Sequence, residues 1–591
     1  MCRGGIAVAV AGAALAVGVV AGGMKPPPAG GQASAQPNVV VIQTDDQSLE
    51  MMRVMAHTNR LVGERGATFR NHFANWPLCC PSRATQLTGQ YAHNHGVLGN
   101  SSPEGGYRSF NRHGNLAVWL FRAGYEVAHL GKYLNGYGPR VNLPVSPYND
   151  VTELPPGWTG WRTGSAGTTY NFYGYTQNEA SSPRGRRRNG RLVAYGSRVR
   201  DFKTDVTTAD AVELIDRYAG RRQPFYLQVD YLAPHSGRPE TADEMPHPPF
   251  DCGTQAKPAP RHATAFDDEP LRPAADPSFD EADVSDKPPF VREMPGIDAA
   301  ARDEITSRYR CRLESVLSVD EGVRDIVREL RRAGELGSTY VLFTSDNGFF
   351  HGEHRIRAGK TEVYEPSIRI PLLLRGPGVP RGVTVNELTV NADLPATVMA
   401  LSGAGSRSSP DGRSLIPAAV EPNEESGREI LIETQKYTAI RTQRYKRVEY
   451  AADGFVELYD LRRDPSELEN FAGSPAYEPV ARALAARLAA LRKCSGARCR
   501  LTPALRIGYE PRRSDCVKRS LHVRIRGADA AGLVEVHFFA RGELAASDRE
   551  PPFGARIARR ELRGPGGAQV KTAAAMLDGR RVVQIDKFAV C

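Results

Sequence analysis

Two pairs of acidic or amide residues directly follow strand-like segments of the sequence. Asp45 and Asp46 come after the β-branched run 38–43. The second pair, Asp346 and Asn347, follows a similar apolar run. Ligands of open α/β sheets bind at the carboxyl ends of strands, and adjacent carboxylates repel each other unless a cation lies between them. Taken singly, each pair would also fit a turn or a helix cap. Together, their hard oxygens predict a site for Ca²⁺ or Mg²⁺ rather than zinc.

Two short histidine pairs could suggest a separate zinc site. Their spacing matches no standard zinc-binding helix, and Gly352 inside the second pair disfavours a helix there. We therefore expect substrate contacts or ordinary turn positions for His93, His95, His351 and His354.

The elements that would position these residues alternate between strand and helix. Strand-like runs lie at 38–43, 127–130, 225–229, 340–343 and 371–374, and helix-like patterns lie at 116–121, 207–218 and 313–330. This alternation predicts a layered α/β domain with a largely parallel sheet over residues 37–425.

Two smaller segments follow that domain. Residues 426–493 combine short strand-like runs with an Ala/Leu/Arg helix and predict a smaller α+β subdomain. Residues 494–591 are rich in Arg and Gly between strand-like pieces, and they predict an appended small β-rich domain held by disulfides. A length of 591 residues agrees with two or three domains.

The formal net charge of +10 favours anionic partners in general. The densest basic run, residues 184–188, has no nucleic-acid-binding motif beside it and is predicted to be a solvated loop. We therefore expect no nucleic-acid partner.

The first 35 residues are typical of an export signal. Arg3 supplies a positive start, residues 6–20 are small and apolar, and residues 33–35 read Ala-Ser-Ala, a small-x-small cleavage pattern. The apolar stretch is short for a membrane span, although an uncleaved anchor is the alternative. The sequence predicts a secreted protein without a stable membrane span.

Nine cysteines are present, and Cys2 would leave with the signal. In an oxidising compartment, disulfides are plausible for three pairs, although spacing alone does not fix connectivity: Cys494–Cys499, Cys516–Cys591 and Cys252–Cys311. Cys79 and Cys80 are adjacent and belong to a different kind of motif.

Residues 79–83 read Cys-Cys-Pro-Ser-Arg, and residues 87–89 read Leu-Thr-Gly. This segment resembles the signature of the type I sulfatases, Cys-x-Pro-Ser-Arg followed by Leu-Thr-Gly. In that family the first cysteine is oxidised after translation to formylglycine, so the resemblance points to Cys79 and leaves Cys80 as the variable position. A buried pair of structural thiols is the alternative.

The resemblance extends over about residues 37–475 and implies an alkaline-phosphatase-like fold for the large domain. It implies a Ca²⁺ site with these ligands: Asp45, Asp46, Asp346, Asn347 and the formylglycine made from Cys79. It also implies catalytic contacts to the sulfate, the modified residue or the leaving group for Arg83, Lys132, His235 and Lys360.

In the mechanism that the resemblance implies, one hydroxyl of hydrated formylglycine attacks sulfur. His235 or Lys360 protonates the departing alcohol, and the second hydroxyl collapses to the aldehyde and expels sulfate. Nearby anions and the dication should keep both lysines charged. Maturation would require a formylglycine-generating enzyme or its equivalent.

Many family members carry histidine two residues after the first lysine, where this chain has Leu134. Residues 131–135, Gly-Lys-Tyr-Leu-Asn, instead resemble the branch of N-acetylglucosamine-6-sulfatases and extracellular heparan endosulfatases. The resemblance therefore implies a sulfated carbohydrate substrate, such as 6-O-sulfated N-acetylglucosamine. It leaves open which group acts in the elimination step.

Two other functions stay open from the sequence. One is a phosphate or phosphonate ester hydrolase of the same superfamily. The other is a non-catalytic binder of sulfated glycans, which would apply if Cys79 is never oxidised.

Overall fold

The computed structural model of the chain describes residues 36–138, 150–181, 189–238, 252–406, 409–422, 427–500, 506–511, 516–526, 533–550, 553–563, 568–576 and 581–591. The predicted export signal and the basic run 184–188 lie outside the described residues.

A ten-stranded sheet forms the centre of the fold. Its strands lie in the spatial order Val383–Val385, Ala67–Phe69, Leu372–Arg375, Thr339–Ser345, Asn38–Thr44, Phe225–Asp230, Glu126–Gly131, Gly160–Ser165, Thr176–Ser181 and Arg191–Ala194. The fourth to eighth strands in this order run parallel. Antiparallel pairs follow on both sides, and only the outermost Val383–Val385 is again parallel to its neighbour. The predicted α/β class is confirmed, with a sheet that is parallel at its centre and mixed at its edges.

The strand Asn38–Thr44 shows why the domain is layered. Successive side chains of a strand point to opposite faces of the sheet. Val39 and Val41 enter one hydrophobic core, whereas Val40 and Ile42 enter a second core on the other face. A strand covered on both faces needs an uninterrupted apolar run, and this run is the signal by which the sequence predicted it.

Helices contribute apolar residues to both of these cores. Leu116–Ala123 and Asp393–Ser402 pack in the first, and Lys203–Tyr218 and Ala299–Arg332 pack in the second. Cys79–Thr88 and Ile416–Val420 also contribute to the first core, and the other α-helices of this domain are Ala56–Thr58, Ala92–His95, Pro289–Arg292 and Glu365–Ile368. A small three-stranded sheet contains Arg369–Ile370, His72–Phe73 and Thr389–Val390.

The helix Ala299–Arg332 begins four turns before the predicted start at residue 313. The Asp298 side chain caps its first turn by accepting a hydrogen bond from Ala301 N at 2.8 Å. Ile305 and Tyr309 are buried in the second core. Charged residues on the exposed side of these turns concealed that apolar stripe in the sequence.

An antiparallel sheet follows, with strands Ile430–Glu433, Tyr437–Arg441, Tyr445–Tyr450 and Val456–Asp460, and it is joined by the helix Glu478–Leu491. Its apolar residues share one core with residues of the large domain such as Phe73, Tyr91 and Tyr364. The predicted α+β character is therefore present, and the exact boundary at residue 425 stays a prediction.

The last part of the chain is β-rich. One sheet contains Arg506–Glu510, Ser520–Arg526 and Gly554–Ala558, and a second contains Glu543–Asp548, Leu533–Ala540, Ala568–Met576 and Arg581–Phe588, with the short helix Arg559–Leu562. The described residues of these strands enclose a core of their own. The start of this segment at residue 494 also stays a prediction.

The three predicted disulfides, Cys252–Cys311, Cys494–Cys499 and Cys516–Cys591, are confirmed. Cys79 and Cys80 are free among the described residues. Within the same residues, no helix has the length and apolar character needed to cross a membrane.

Candidate active site

The two predicted acidic pairs meet at the carboxyl edge of the central sheet. The strands that precede them are neighbours, with Thr44 paired to Ser345, so the residues that follow emerge side by side. Asp46 N donates to Asp346 Oδ1 at 3.0 Å, and Asn347 Nδ2 donates to Asp46 Oδ1 at 2.8 Å. The structure thus brings both pairs into one buried cluster.

Asp46 adopts a left-handed backbone conformation with a φ of 67°. Few residues other than glycine, asparagine and aspartate do so, and the surrounding structure must hold such a turn. Arg312, which is buried, donates to Asp46 O, and its Nη1 donates to Pro234 O at 2.8 Å. Arg312 was not predicted from the sequence, although an arginine on the buried stripe of a helix was an available signal.

Cys79 begins the buried helix Cys79–Thr88 beside this cluster. Its Sγ lies 3.3 Å from Lys132 Nζ, 3.3 Å from Lys360 Nζ and 3.6 Å from Asp45 Oδ1. Burial, with the charge of Asp45, raises the pKa of the Cys79 thiol to about 11. An unmodified thiol here is therefore protonated at neutral pH and a poor nucleophile.

Cys80 has a different environment from its neighbour. Its Sγ accepts a hydrogen bond from Asn135 N at 3.0 Å, and the residue packs in the first hydrophobic core. Burial also raises the pKa of this thiol to about 12. Of the two adjacent cysteines, only Cys79 faces the lysines.

Arg83 lies one turn into the same helix and binds three carboxylates. Its Nε donates to Asp346 Oδ2 at 2.9 Å, its Nη1 lies 3.1 Å from Asp230 Oδ2, and its Nη2 lies 3.4 Å from Asp45 Oδ2. Nη1 also donates to Lys132 O at 2.7 Å. Arg83 thereby fixes the helix, the acidic cluster and the Lys132 backbone relative to one another.

Asp230 was missed by the sequence analysis. It ends the strand Phe225–Asp230 next to Asn38–Thr44, with Gln43 paired to Asp230. His129 Nε2 lies 3.2 Å from its Oδ2. The signal that could have identified Asp230 is the one that identified Asp45, namely an acidic residue at the end of a buried strand.

The two lysines approach the cluster from different parts of the chain. Lys132 follows the strand Glu126–Gly131 and forms an ion pair with Asp45, and Lys360 forms one with Asp46. Burial opposes the charge of both lysines, but these carboxylates raise the pKa of each above its ordinary value. Two ammonium groups are therefore held beside Cys79.

Replacing Gly131 by alanine is expected to destabilise the protein and displace Lys132. Gly131 has a φ of +89°, and an added Cβ would lie 2.0 Å from Asp230 O. We expect the free energy of unfolding, measured with denaturant, to fall by more than about 1 kcal/mol. Gly220→Ala is the control, because Gly220 has a φ of +70° and nothing within 4 Å of an added Cβ. An equal loss in both variants would contradict the role of the close contact.

His235 reaches the cluster from the loop after the strand Phe225–Asp230. Its Nε2 lies 3.6 Å from Asp46 Oδ2, and its Nδ1 donates to Ser236 O at 2.7 Å. Burial lowers the pKa of His235 to about 4, against the opposing effect of Asp46. The imidazole is thus neutral at neutral pH in this environment.

Tyr170 lies between Lys132 and His235 and was not predicted. Lys132 Nζ is 4.6 Å from the centroid of its ring, and the ring of His235 is 4.8 Å away. The Tyr170 hydroxyl donates to Asn135 Oδ1 at 2.9 Å. No local sequence signal pointed to this residue, because it lies in a loop remote from every motif.

The residues at the centre of the cluster fit a hard cation. Single ligand atoms of Asp45, Asp46, Cys79 and His235 lie within 4.8 Å of one another. Asn347 Oδ1 is buried and has no hydrogen-bond partner among the described residues. A buried amide oxygen that accepts no hydrogen bond is accounted for if it ligates a cation. Carboxylate and amide oxygens are the ligands that Ca²⁺ prefers.

The four histidines from the two pairs lie among protein groups. His93 Nδ1 lies 2.9 Å from Glu433 Oε2, and His95 Nε2 lies 3.0 Å from Thr85 Oγ1. His354 Nδ1 lies 2.7 Å from Glu281 Oε2, and the buried His351 packs against the ring of Tyr309. A contact between these four histidines and the substrate remains a prediction. Their contacts with protein groups do not support it.

Solved structures share the fold. One, described as a complex with its substrate D-glucosamine-2-N,6-O-disulfate, gives a TM-score of 0.59 at 22% identity and covers 78% of this chain and 98% of that chain. The phosphonate monoester hydrolase of Agrobacterium radiobacter gives 0.57 at 22% identity and covers 77% and 95%. These likenesses establish the class of the fold, which is alkaline-phosphatase-like.

The sequence narrows that class to a family. The model of the sulfatase family matches residues 37–404, and the chain belongs to this family. A second model, of the C-terminal part of N-sulphoglucosamine sulphohydrolase, matches residues 352–494.

Curated relatives include an extracellular sulfatase Sulf-1 homologue of Caenorhabditis elegans, 34% identical over 65% of this chain. A Drosophila melanogaster homologue of the same kind is 30% identical over 66% of this chain. This chain spans only 49% and 32% of the lengths of those two proteins. Human N-acetylglucosamine-6-sulfatase is 28% identical over 80% of this chain and 88% of its own length.

Proposed function

We propose that this protein is a sulfuric ester hydrolase whose nucleophile is a formylglycine made from Cys79. One observation carries the proposal: Cys79 Sγ lies 3.3 Å from the Nζ atoms of both Lys132 and Lys360 at the edge of the acidic cluster. A position at the start of a helix, with two ammonium groups beside it, favours an anionic substrate.

The chemistry of the residue explains why a modification is needed. The buried thiol has a pKa of about 11, so little thiolate exists at neutral pH. When present, formylglycine supplies a hydrated aldehyde whose hydroxyls allow both attack on sulfur and later release of sulfate. An ordinary serine or cysteine nucleophile would remain as a stable covalent ester.

The acidic cluster would hold Ca²⁺ through Asp45, Asp46 and Asn347, with Asp346 and the modified Cys79 completing the predicted set. When bound, this cation would activate the nucleophile and offset the charge of the sulfate oxygens. Asp346 also orients the cluster, because its oxygens accept hydrogen bonds from Asp46 N and Arg83 Nε.

The remaining residues would bind the sulfate and move a proton. Lys132 and Lys360 would bind the anionic oxygens and stabilise charge in the transition state. Arg83 would hold the helix that carries the nucleophile. Of the predicted proton donors His235 and Lys360, Lys360 carries the proton at neutral pH and would donate it to the departing alcohol.

We further propose a sulfated sugar as the substrate, with 6-O-sulfated N-acetylglucosamine in glycans as the first candidate. The N-acetylglucosamine-6-sulfatase relatives support this first candidate, and the family model named for N-sulphoglucosamine sulphohydrolase supports a sulfated sugar in general. The predicted export signal and the extracellular relatives support secretion. Maturation would then involve a formylglycine-generating enzyme or its equivalent.

Turnover of matched esters tests the proposal. The purified protein should hydrolyse an aryl sulfate faster than the matching aryl phosphate or phosphonate, and it should release sulfate from 6-sulfated N-acetylglucosamine. Mass spectrometry of the peptide bearing residue 79 should show the aldehyde. Faster phosphate or phosphonate cleavage would favour the other ester hydrolases. An unmodified Cys79 from the native host, together with glycan binding, would favour a binding protein.

Removal of Ca²⁺ is expected to lower both activity and thermal stability. A ligand present at 100 times its dissociation constant stabilises the folded state by about 2.7 kcal/mol, so chelation should lower the unfolding midpoint by several degrees. We expect activity to fall by more than about a hundredfold and to return on addition of Ca²⁺. Asp46→Asn should remove the response of the midpoint to chelator. Full activity in protein shown by elemental analysis to be metal-free would contradict the metal site.

A further inference from the structure

A cavity of about 720 Å³ opens beside the candidate active site. Its lining includes Asn100, Tyr107, Arg108, Asn135, Tyr170 and Arg238. A single pyranose would occupy only a part of this volume, since cavities of about 300–1,000 Å³ enclose drug-sized ligands.

Tyr170 forms a wall that the cavity shares with the reactive centre. The centroid of its ring lies 4.6 Å from Lys132 Nζ and 4.8 Å from the centroid of the His235 ring, and the residue also lines the cavity. Leu134 and Asn135, which come two and three residues after Lys132, line it as well. A ligand that placed its sulfate ester between the lysines could therefore extend into the cavity past Tyr170.

The cavity carries positive charge. Arg108 and Arg238 line it, and none of the described lining residues is acidic. Tyrosine, asparagine, serine and glycine residues make up much of the remaining wall. A cavity of this composition favours a sugar that bears an anionic group over a neutral one.

Arg238 is held at the cavity by two hydrogen bonds to one loop. Its backbone N donates to Tyr170 O at 3.2 Å, and its Nη1 donates to Gly167 O at 2.8 Å. Its guanidinium has no carboxylate partner among the residues that the structure describes. The loop that carries Tyr170 thus positions the Arg238 guanidinium. None of the acidic residues that the structure describes neutralises its charge.

We propose that this cavity is a subsite for a second anionic group of the sulfated glycan, recognised by Arg238. The inference rests on the proposed function, because that function supplies the sulfate ester bound beside Cys79. The second group is a sulfate on the same sugar or the carboxylate of an adjoining uronic acid. Both present oxygens that a guanidinium binds through charge-assisted hydrogen bonds.

Equilibrium binding to the Cys79→Ala protein tests this subsite without turnover. Three ligands are titrated calorimetrically: 6-sulfated N-acetylglucosamine linked to a neutral hexose, the same sugar linked to a uronic acid, and glucosamine 2-N,6-O-disulfate. We expect at least one doubly anionic ligand to bind about tenfold more tightly than the singly charged one. The ligand that does so identifies the source of the second anionic group.

Introducing Arg238→Gln into the Cys79→Ala protein should remove the preference for the doubly anionic ligand. The affinity for the singly charged ligand should change by less than about twofold. Arg328→Gln, at an exposed arginine on the helix Ala299–Arg332, is the matched control and should preserve the preference. Absence of a preference, its persistence in Arg238→Gln, an equal loss for all ligands, or no binding at all would overturn the subsite. Aryl sulfate turnover by the unaltered enzyme reports separately on the proposed function.

Discussion

Replacing Cys79 by alanine is expected to lower kcat for an aryl sulfate by at least about a thousandfold while leaving the protein folded. Cys79 Sγ lies between the two lysines and Asp45 and belongs to none of the hydrophobic cores. The substitution therefore removes the nucleophile without removing core packing. Steady-state kinetics and the thermal unfolding midpoint measure the two effects.

Cys80→Ala is the matched control, because Cys80 is the next residue, is equally buried, and differs in its contacts. Its side chain packs in the first core and accepts a hydrogen bond from Asn135 N. We expect a loss of about 1 kcal/mol or more in the free energy of unfolding, with kcat of the folded enzyme largely retained. A larger loss of kcat in Cys80→Ala than in Cys79→Ala would contradict the assignment of the nucleophile.

Cys79→Ser extends the test to the reason for the modification. A serine cannot collapse to an aldehyde, so its sulfate ester would persist. We expect at most one turnover for each enzyme molecule, and mass spectrometry should detect the covalent ester. Sustained turnover by this variant would show that the aldehyde is not required.

Replacing Lys132 by methionine is expected to reduce kcat by about 10²–10³. Lys132 Nζ lies 3.3 Å from Cys79 Sγ, forms an ion pair with Asp45 and is almost fully buried. In the proposed reaction its charge stabilises the sulfate oxygens as negative charge develops on them. Kinetics with aryl sulfates and with a sulfated sugar, together with the unfolding midpoint, measure the effect.

Lys287→Met separates a catalytic effect from the cost of breaking a buried ion pair. Lys287 is also buried, lies 3.0 Å from Glu281 Oε1 and donates to Leu468 O, away from Cys79. Loss of one partner of such a pair costs about 3–5 kcal/mol of stability. We expect Lys287→Met to lower the unfolding midpoint and leave kcat of the folded enzyme within about twofold. An equal loss of kcat in both variants would mean that Lys132 acts through stability alone.

The sequence determined the features whose signals are local. The uninterrupted apolar run at 39–42 identified a strand buried on both faces, and the acids that follow it identified the edge where the cluster lies. The motif around Cys79 identified the family, which the comparison confirms. These features were predictable because each depends on residues within one element and its immediate end.

Only the tertiary structure decided which distant residues complete the site. Asp230 and Arg312 contact Arg83 and Asp46 across more than a hundred positions of the chain, and Tyr170 approaches Lys132 from a loop without a motif. The antiparallel pairing of strands that border the parallel centre, such as Leu372–Arg375 with Thr339–Ser345, was also decided only in the assembled sheet. Propensity and periodicity cannot specify such pairings, since they arise when the strands and helices pack together. The packing likewise placed Cys79 beside the lysines and Cys80 in the core, although the two residues are adjacent in sequence.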